Sequence, residues 1–382
     1  MEYFLNELQT TVQDLARTIA IEKVLPVRAE LDEKEEFPTA IMQEIAASGL
    51  MGIAIPEELG GIGGGAFELC LATEQIARVC GGVAVSYAAN FLGSDIIIDN
   101  GSAEQKARFL PDIACGKKLC AFAITEETAG SDASAVKTTA VKTAQGYLIN
   151  GSKRFITNGG DAEIYTIIAR TEPGTSARGL SAIIVEKGTP GFSFGRKEKK
   201  MGIRTSSTRE LLFDDCLVPF ENLIGKAGMG FFYAMKLFEK SRPGIGAQAV
   251  GIAQGAFEAA FEHAKSRIQF NEPVINFQAV QHMLANMAMD IEAARALIYA
   301  SARTIDSGLQ KSGNMESAMS KVYASDVAMR VTTDAVQIMG GVGYTRDYPV
   351  EKMMRDAKIT QLYEGTNQVL RNIIAAELRK RY

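Results

Sequence analysis

The residues with the clearest chemical potential surround one carboxylate near the C-terminus, Glu364. It lies between an apolar and aromatic approach and the corner Gly365-Thr366-Asn367. A glutamate removed from water by apolar neighbours has a raised pKa, which a general base needs near neutral pH. Thr366 or Asn367 can cap a helix running to about Arg379, so backbone N–H groups would point outward beside the carboxylate. A base and oxyanion donors at one corner suit the removal of a proton alpha to a carbonyl. Taken alone, a glutamate ahead of a helix is more often a capping residue.

Composition excludes several other kinds of protein. The chain has 382 residues and a net charge of −4, which gives no electrostatic case for nucleic-acid binding. It has 2 histidines, which argues against a zinc enzyme and a Ser-His-Asp hydrolase, and we predict no metal site. The 5 cysteines lack CxxC spacing, which favours reduced thiols and a cytoplasmic location. We find no signal peptide and no apolar run approaching the roughly 18 residues of a membrane span.

The spacing of apolar residues and the positions of turn residues divide the chain into three predicted domains of an α+β protein. Residues 1–118 read as a helical domain, 119–227 as a β domain and 228–382 as a helical bundle. The middle segments are short strands without intervening helices, which predicts an antiparallel sheet. Within it, Asn150-Gly151 between two strand-like runs predicts a hairpin turn. In the last region Leu284, Met287, Ile291, Ala294 and Ile298 step by three and four, which indicates the buried face of a helix.

Two glycine-rich segments could be either structural turns or sites of close approach to a nucleotide. The run Gly60–Gly65 lacks the strand–turn–helix context of a dinucleotide-binding loop, so we predict an ordinary loop. The segment Gly340-Gly341 follows helical sequence and fits a helix C-cap, and it also allows close approach of the backbone to a pyrophosphate. The two readings of the second segment are compatible.

Several segments together, in this order and spacing, resemble the acyl-CoA dehydrogenase family of flavoproteins over essentially the whole chain. They are Phe122-Ala123-Ile124-Thr125-Glu126, Ala129-Gly130-Ser131-Asp132, Phe155-Ile156-Thr157-Asn158, Ser241-Arg242-Pro243, Arg267-Ile268-Gln269-Phe270, Gln337-Ile338-Met339-Gly340-Gly341 and Tyr363-Glu364-Gly365-Thr366. The family fold is an N-terminal helical domain, a middle β domain and a C-terminal four-helix bundle. That order agrees with the three domains predicted from apolar spacing and turn residues.

The resemblance implies an FAD cofactor and the residues that hold it. The ring site would comprise Phe122, Ala123, Ile124, Thr125, Gly130, Ser131, Phe155, Ile156 and Thr157, with Phe155 where many relatives have Trp. The diphosphate and adenosine would contact, from a neighbouring subunit, Arg267, Phe277, Gln278, Gln337, Ile338, Met339, Gly340 and Gly341, and Thr366 and Gln368 would complete the site. Asn271 stands where relatives usually have Gly, and asparagine tolerates the positive φ of that turn.

The resemblance also implies the substrate contacts. The CoA part would meet Ser131, Glu239, Arg242 and Gly365. Val83 stands where glutaryl-CoA dehydrogenases carry Arg, which disfavours a dicarboxylate, and Ala88 replaces a pocket-floor Glu of medium-chain relatives. With Tyr87 and Phe91 adding bulk nearby, we expect a short, branched or alicyclic acyl group.

The reaction implied is dehydrogenation of an acyl-CoA to its 2-enoyl-CoA. Glu364 would take the alpha proton while the beta hydrogen leaves as hydride to the flavin, and electrons would pass to an electron-transferring flavoprotein. The family also implies a homotetramer built as a dimer of dimers. The alternatives are a cyclohexanecarboxyl-CoA dehydrogenase specifically, an oxidase or monooxygenase relative, and a non-catalytic FAD- or CoA-binding paralogue. Oxidases usually carry a further C-terminal domain, and retention of Glu364 argues against the paralogue.

Overall fold

The first region of the chain is helical. The computed structural model describes residues 3–172, 176–308 and 314–382. Asn6 caps the first helix through a capping box with Gln9, the pattern that satisfies free N–H groups at a helix start. The helices of this region are α1 (Glu7–Ile19, continued by a π-helical turn, Ala20–Val24), α2 (Arg28–Lys34), α3 (Thr39–Ala47), α4 (Ala66–Ala77), α5 (Gly81–Asn100) and α6 (Ala103–Ala114).

Helix α5 lies at the centre of the fold. Within the described residues it is the one helix long and apolar enough to cross a membrane, and 83% of its most apolar stretch is buried inside the protein. That is the pattern of an internal core helix, which passes the same test. The helix packs against α4, α7 and the sheet, and it therefore positions residues of all three regions.

A sheet follows the helices. Its strands are β1 (Cys120–Ala123), β2 (Thr139–Lys142), β3 (Tyr147–Thr157), β4 (Ile164–Arg170), β5 (Leu180–Glu186), β6 (Phe192–Lys197), β7 (Thr208–Val218) and β8 (Leu223–Ile224). The order is β6-β7-β3-β2-β4-β5-β8, with β1 added beside β4. Most pairs are antiparallel, but β1 runs parallel to β4 and β2 meets β4 in parallel at one residue pair. The predicted antiparallel sheet is therefore confirmed for most strand pairs, and the parallel pairs are the exceptions.

The predicted Asn150-Gly151 hairpin is wrong. Strand β3 runs straight through this dipeptide, and its pairing with β7 shifts register between Ile149 and Gly151, which marks a bulge. Gly151 has a φ of +139°, and a Cβ there would lie 2.8 Å from the Cα of Thr138. Glycine is thus required by close approach within the sheet, where the local sequence suggested a turn.

The C-terminal region is helical. Its elements are α7 (Gly230–Ser266), a small hairpin of β9 (Ile268–Gln269) and β10 (Glu272–Pro273), α8 (Gln278–Asp306), α9 (Asn314–Met339), α10 (Val350–Ile359) and α11 (Asn367–Arg381). The predicted α8 stripe is buried along its whole length. Asn271 has a φ of +65° and Gly340, directly after α9, has a φ of +64°, which confirms both turn predictions.

Candidate active site

A cleft of about 340 Å³ opens where the sheet, α5, α7 and the start of α11 meet. Apolar side chains dominate its lining, and the polar groups are few enough to be assigned individually. Helix α5 contributes Val85, Ala88, Ala89 and Leu92; α7 contributes Phe231, Met235, Phe238, Arg242 and Ile245; the C-terminal segment contributes Tyr363, Glu364, Gly365, Val369 and Ile373. The sheet side contributes Phe122, Ile124, Thr125, Gly130, Ser131, Asp132, Ala133, Ser134, Phe155, Ile156 and Thr157.

Glu364 lies in a tight corner between α10 and α11. Its φ is +50° and that of Gly365 is +92°, so two successive residues adopt the left-handed region. The N–H of Asn367 donates to the Gln361 carbonyl oxygen at 3.0 Å, which closes the corner. The Thr366 hydroxyl accepts from the Val369 N–H at 3.2 Å and caps α11, as predicted. The Glu364 N–H itself makes no hydrogen bond to any residue that the structure describes, which fits a donor reserved for a bound group.

The Glu364 carboxylate is positioned by α7. The Ser241 hydroxyl donates to Glu364 Oε2 at 2.7 Å. Burial raises the pKa of Glu364, against the opposing effects of the Ser241 hydrogen bond and the charges of Arg242 and Lys321. The direction is the one that the apolar approach predicts for a general base.

Arg242 reaches the cleft from the same turn of α7. The residue is 5% exposed, and its Nη1 donates to Asn314 Oδ1 at 2.7 Å. Burial lowers the pKa of the guanidinium, which the nearby Glu364 and Glu239 carboxylates oppose. Its Nε has no partner in the part of the chain that the structure describes, so one donor remains available to a ligand.

Pro243 leaves one backbone carbonyl oxygen of α7 without its helical partner, and α9 supplies another. Lying inside α7, it lacks the N–H that would bond the Glu239 carbonyl oxygen. The Ser317 hydroxyl of α9 donates to that oxygen at 2.6 Å. The Ser-Arg-Pro motif therefore joins α7 to α9 just where it presents Ser241 and Arg242.

Lys321 of α9 stabilises the backbone corner that carries Glu364. The side chain is fully buried, and Nζ donates to the Gly365 carbonyl oxygen at 2.8 Å and to Asn367 Oδ1 at 3.1 Å. Burial lowers the pKa of Lys321 to about 7, an effect that the Glu364 charge opposes. Asn367 in turn donates to Asp326 Oδ1 at 2.9 Å, so α9 fixes the first residue of α11.

The sheet side of the cleft offers a flat apolar face and free hydroxyls. Phe155 is 56% exposed and has a φ of +59°. The hydroxyls of Thr125, Ser131 and Thr157 make no hydrogen bond to another described residue. An exposed ring beside unpaired hydroxyls suits a planar group with a polar edge, so these residues fit the flavin ring.

A buried ion pair supports this face from behind. Lys153 Nζ lies 2.7 Å from Glu126 Oε1 and donates to the Ile124 carbonyl oxygen at 3.2 Å. The Glu126 carboxylate also accepts from the backbone N–H groups of Lys137 and Thr138 at 2.7 and 3.0 Å. Burial lowers the pKa of Lys153 to about 8, against the attraction of Glu126. The pair anchors the segment that carries Thr125.

The predicted cofactor residues fall into two groups. Those in the middle domain line the cleft with Glu364, except Ala123, which is buried in the sheet core. The others lie away from the cleft lining of this chain; they are Arg267, Phe277, Gln278, Gln337, Ile338, Met339, Gly340, Gly341, Thr366 and Gln368. Of the predicted substrate residues, Ser131, Arg242, Gly365 and Ala88 line the cleft, and Glu239 does not.

Two predicted pocket residues face the wrong side of α5. Tyr87 is fully buried, its hydroxyl donates to the Leu50 carbonyl oxygen at 3.1 Å, and it packs edge-on against Phe91 at 5.1 Å. Both belong to the helical core, and so does Val83, which is also fully buried. The prediction that Tyr87 and Phe91 limit the pocket is therefore wrong, and Val83 does not touch the cleft.

Several cleft residues were not predicted from the sequence, although they recur at the spacing of one helix face. On α5 the missed cleft residues are Val85, Ala89 and Leu92, beside the predicted Ala88. On α7 they are Phe231, Met235, Phe238 and Ile245, on the same face as the predicted Arg242. Both sets follow the three- and four-residue spacing of one helix face. The spacing was visible in the sequence, but both faces of α5 are buried, so spacing alone could not choose between them.

Family profiles match all three regions of the chain. The N-terminal, middle and C-terminal domains of acyl-CoA dehydrogenase match residues 6–117, 121–216 and 228–379. The chain is 45% identical to the short-chain specific acyl-CoA dehydrogenase of Clostridium acetobutylicum over 99% of this chain and 100% of the relative. It is 46% identical to the acryloyl-CoA reductase (NADH) of Anaerotignum propionicum over 100% of this chain and 97% of the relative.

Solved structures give the same result. Butyryl-CoA dehydrogenase from Megasphaera elsdenii superposes with a TM-score of 0.96 at 43% identity, covering 99% of this chain and 100% of that one. A chain from a study of the electron transferring flavoprotein of Acidaminococcus fermentans also reaches 0.96, at 46% identity and 99% of both chains. A structure described as PigA with FAD and proline reaches 0.94 at 28% identity and covers 100% of both chains.

Proposed function

The chain belongs to the acyl-CoA dehydrogenase family, whose cofactor is FAD, and we propose that it dehydrogenates a short-chain, branched or alicyclic acyl-CoA. The observation that carries this is the Glu364 carboxylate, with its raised pKa, in a mainly apolar cleft that Phe155 also lines. The short-chain specificity of the Clostridium relative and the butyryl-CoA dehydrogenase likeness support a short acyl group.

In the proposed mechanism Glu364 removes the alpha proton of the thioester. FAD, when bound, would supply the acceptor for the beta hydrogen and its electron pair. The free Glu364 N–H donates to the thioester oxygen as negative charge develops there, and one such donor in an acyl-transfer site contributes about 3 kcal/mol. Phe155, Thr125 and Thr157 would hold the ring and its polar edge, and the apolar walls from α5 and α7 exclude water. Ser241 and Lys321 keep the base and its corner in place.

Substrate preference tests this proposal. We expect butyryl-CoA, isovaleryl-CoA and cyclohexanecarboxyl-CoA to give higher kcat/KM than palmitoyl-CoA and glutaryl-CoA. The lining from α5 is apolar, so a distal carboxylate would lose water without a dedicated partner there. One methylene changes discrimination by only about 1–3 kcal/mol, so the preference should be graded. The measurement is bleaching of the flavin spectrum, followed by kcat/KM for all five thioesters. A best substrate of palmitoyl- or glutaryl-CoA would contradict the acyl-chain proposal and leave the reaction type standing.

The similarity to acryloyl-CoA reductase favours a second candidate, reduction of a short 2-enoyl-CoA. The same base would then return a proton to the alpha carbon, and its raised pKa keeps that proton available. The enzyme reduced with dithionite and mixed with acryloyl-CoA or crotonyl-CoA decides the direction. Fast reoxidation by the enoyl-CoA together with slow bleaching by the saturated ester would favour the reductase.

The electron partner in this proposal is an electron-transferring flavoprotein, and the location is the cytoplasm. The likeness to the chain from the Acidaminococcus study supports the partner. All five cysteines are free thiols, and four of them are buried, which fits a reducing compartment.

We propose further that the active enzyme is a homotetramer, a dimer of dimers. The predicted adenosine and diphosphate residues lie away from this chain's own cleft lining, so a second subunit would supply them. Beside Arg267 the side chains of Ile268 and Phe270 are 60% and 89% exposed, and Tyr344 near the end of α9 is 86% exposed. Exposed apolar side chains of this size favour a protein interface.

Arg267→Ala tests the shared site. We expect it to weaken FAD retention and to lower the melting temperature of the oligomer, because a ligand that binds the native state stabilises it. FAD content and Tm are measured after gel filtration. Arg196→Ala is the matched control, since Arg196 is exposed on β6 of the middle domain. A monomer that retains FAD at micromolar concentration would contradict the proposed assembly.

A further inference from the structure

A second cavity, of about 10 Å³, lies beside Ser241 and shares no lining residue with the active-site cleft. Its walls come from α4 and the segment before it, from α5 and from α7, and its polar side chains are Asp95, Lys240 and Ser241. A space of about this size holds one water molecule when polar groups surround it.

Ser241 connects the two sites. Its Oγ is the atom that donates to Glu364 Oε2 at 2.7 Å, and the same residue lines the small cavity. A hydroxyl has one donor and two acceptor positions, so it can hold the carboxylate and a water molecule at once.

The other polar wall is a cluster of charges on α5 and α7. Asp95 is 3% exposed, and its Oδ1 lies 3.2 Å from Lys240 Nζ without a well-directed hydrogen bond to it. Lys240 is also 3.8 Å from Asp99, which is 46% exposed at the surface end of the cluster. Asp306, at the end of α8, contributes a further negative charge toward Lys240.

This cluster can accept a proton without becoming positive. Lys240 carries one positive charge between the carboxylates of Asp95 and Asp99, so the three groups together have a net charge of −1. Burial raises the pKa of Asp95, against the attraction of Lys240. Protonation of Asp95 would leave Lys240 paired with Asp99 and the three groups neutral.

We propose that Ser241, a water molecule in the small cavity and Asp95 form a relay that carries the proton taken by Glu364 away from the acyl-CoA. The proposal rests on the proposed function of Glu364 as the base. In the relay the Glu364 O–H gives its proton to Ser241 Oγ while the Ser241 O–H gives its proton to the water. The water passes a proton to the Asp95 carboxylate, so one O–H bond breaks and one forms at each member.

The relay gives the base a way to lose its proton while the acyl chain fills the front of the cleft. The acyl-CoA would cover Glu364 from the side of Phe155 and the α5 wall, and the front route to solvent would then be closed. Of the other charged groups facing Glu364, Arg242 is a permanent cation, and Lys321 Nζ is directed to the Gly365 carbonyl oxygen and Asn367 Oδ1. Ser241 is the neutral neighbour that can pass it on.

Exchange of the alpha hydrogens into D₂O tests the relay. The probe is 3,3-dimethylbutyryl-CoA, whose beta carbon has no hydrogen to lose, so that Glu364 can only remove and return an alpha proton. Mass spectrometry gives the exchange rate, and bleaching by butyryl-CoA gives the dehydrogenation rate of the same FAD-loaded preparation. We expect Asp95→Asn and Ser241→Ala each to lower the ratio of exchange to bleaching at least fivefold.

Two control variants sharpen the test. Glu104→Gln removes an exposed carboxylate of α6, outside both the charged cluster and the cavity, and should leave the ratio unchanged, and Ser241→Thr keeps a hydroxyl and should largely preserve it. An unchanged ratio in Asp95→Asn, or a wild-type enzyme that bleaches but never exchanges, would overturn the relay alone. A wild-type protein that neither bleaches nor exchanges with any acyl-CoA would overturn the proposed function.

Discussion

Replacing Glu364 by glutamine should slow flavin reduction by acyl-CoA by about 10³-fold, within the 10²–10⁴ range of general-base contributions. The amide keeps the shape of the side chain and can still hydrogen-bond Ser241, but it cannot accept the alpha proton. FAD content should stay at the wild-type level, because the predicted ring contacts come from the middle domain. The measurement is anaerobic stopped-flow bleaching with the best substrate of the panel.

The pH dependence of the wild type belongs to the same prediction. The deprotonated carboxylate is the active form for dehydrogenation, so kcat/KM should rise with pH through the pKa of Glu364. Burial raises that pKa above the ordinary value of 4.5, so the acid limb should lie above pH 4.5. Glu377→Gln, on α11 outside the cleft lining, is the matched control and should change neither rate nor profile. Near wild-type bleaching in Glu364→Gln would refute the assignment of the base.

The second large effect should come from the ion pair behind the flavin face. Glu126→Ala should lower the free energy of unfolding by about 3–5 kcal/mol, because it leaves the fully buried Lys153 without its partner. It also frees the N–H groups of Lys137 and Thr138, so the segment that carries Thr125 should hold FAD less tightly. Urea unfolding of the FAD-loaded protein and its FAD content after dialysis are the measurements.

The neighbouring glutamate provides the control. Glu127 is 83% exposed and lies 3.8 Å from Arg154, so Glu127→Ala should change stability by less than about 0.5 kcal/mol. The pH dependence follows from Lys153, whose pKa is lowered to about 8 in the native state. The pairing energy is present below that pH and is lost above it, so the deficit of Glu126→Ala should shrink as the pH rises through about 8. Equal effects of the two substitutions would show that the buried pair contributes no more than a surface one.

Local chemistry determined much of what the sequence predicted correctly. The α8 stripe, the cap at Thr366 and the left-handed turn at Asn271 depend on residues a few positions apart, so they could be read without the fold. The raised pKa of Glu364 followed from the apolar residues before it, since burial is its largest cause. The order of helical, β and helical regions followed from period and turn residues for the same reason.

The tertiary structure decided the features in which distant segments compete or meet. Gly151 looked like a hairpin turn because Asn-Gly is a strong local signal, but pairing with β7 keeps β3 extended and the approach of Thr138 demands glycine. Tyr87 and Phe91 face the core instead of the cleft because both sides of α5 are buried, which removes the polar face that would orient a helix from sequence.

The contacts that hold the active site in place were the hardest features to predict from the sequence. Ser241 and Glu364 are 123 residues apart, Lys321 and Gly365 are 44 apart, and Lys153 and Glu126 are 27 apart. Taken alone, Ser241, Lys321, Lys153 and Glu126 look like ordinary surface residues. Whether such a side chain is buried and paired depends on which helices and strands pack together. The sequence alone therefore identified the candidate base, and only the packing of α7, α9 and the sheet showed what holds it in place.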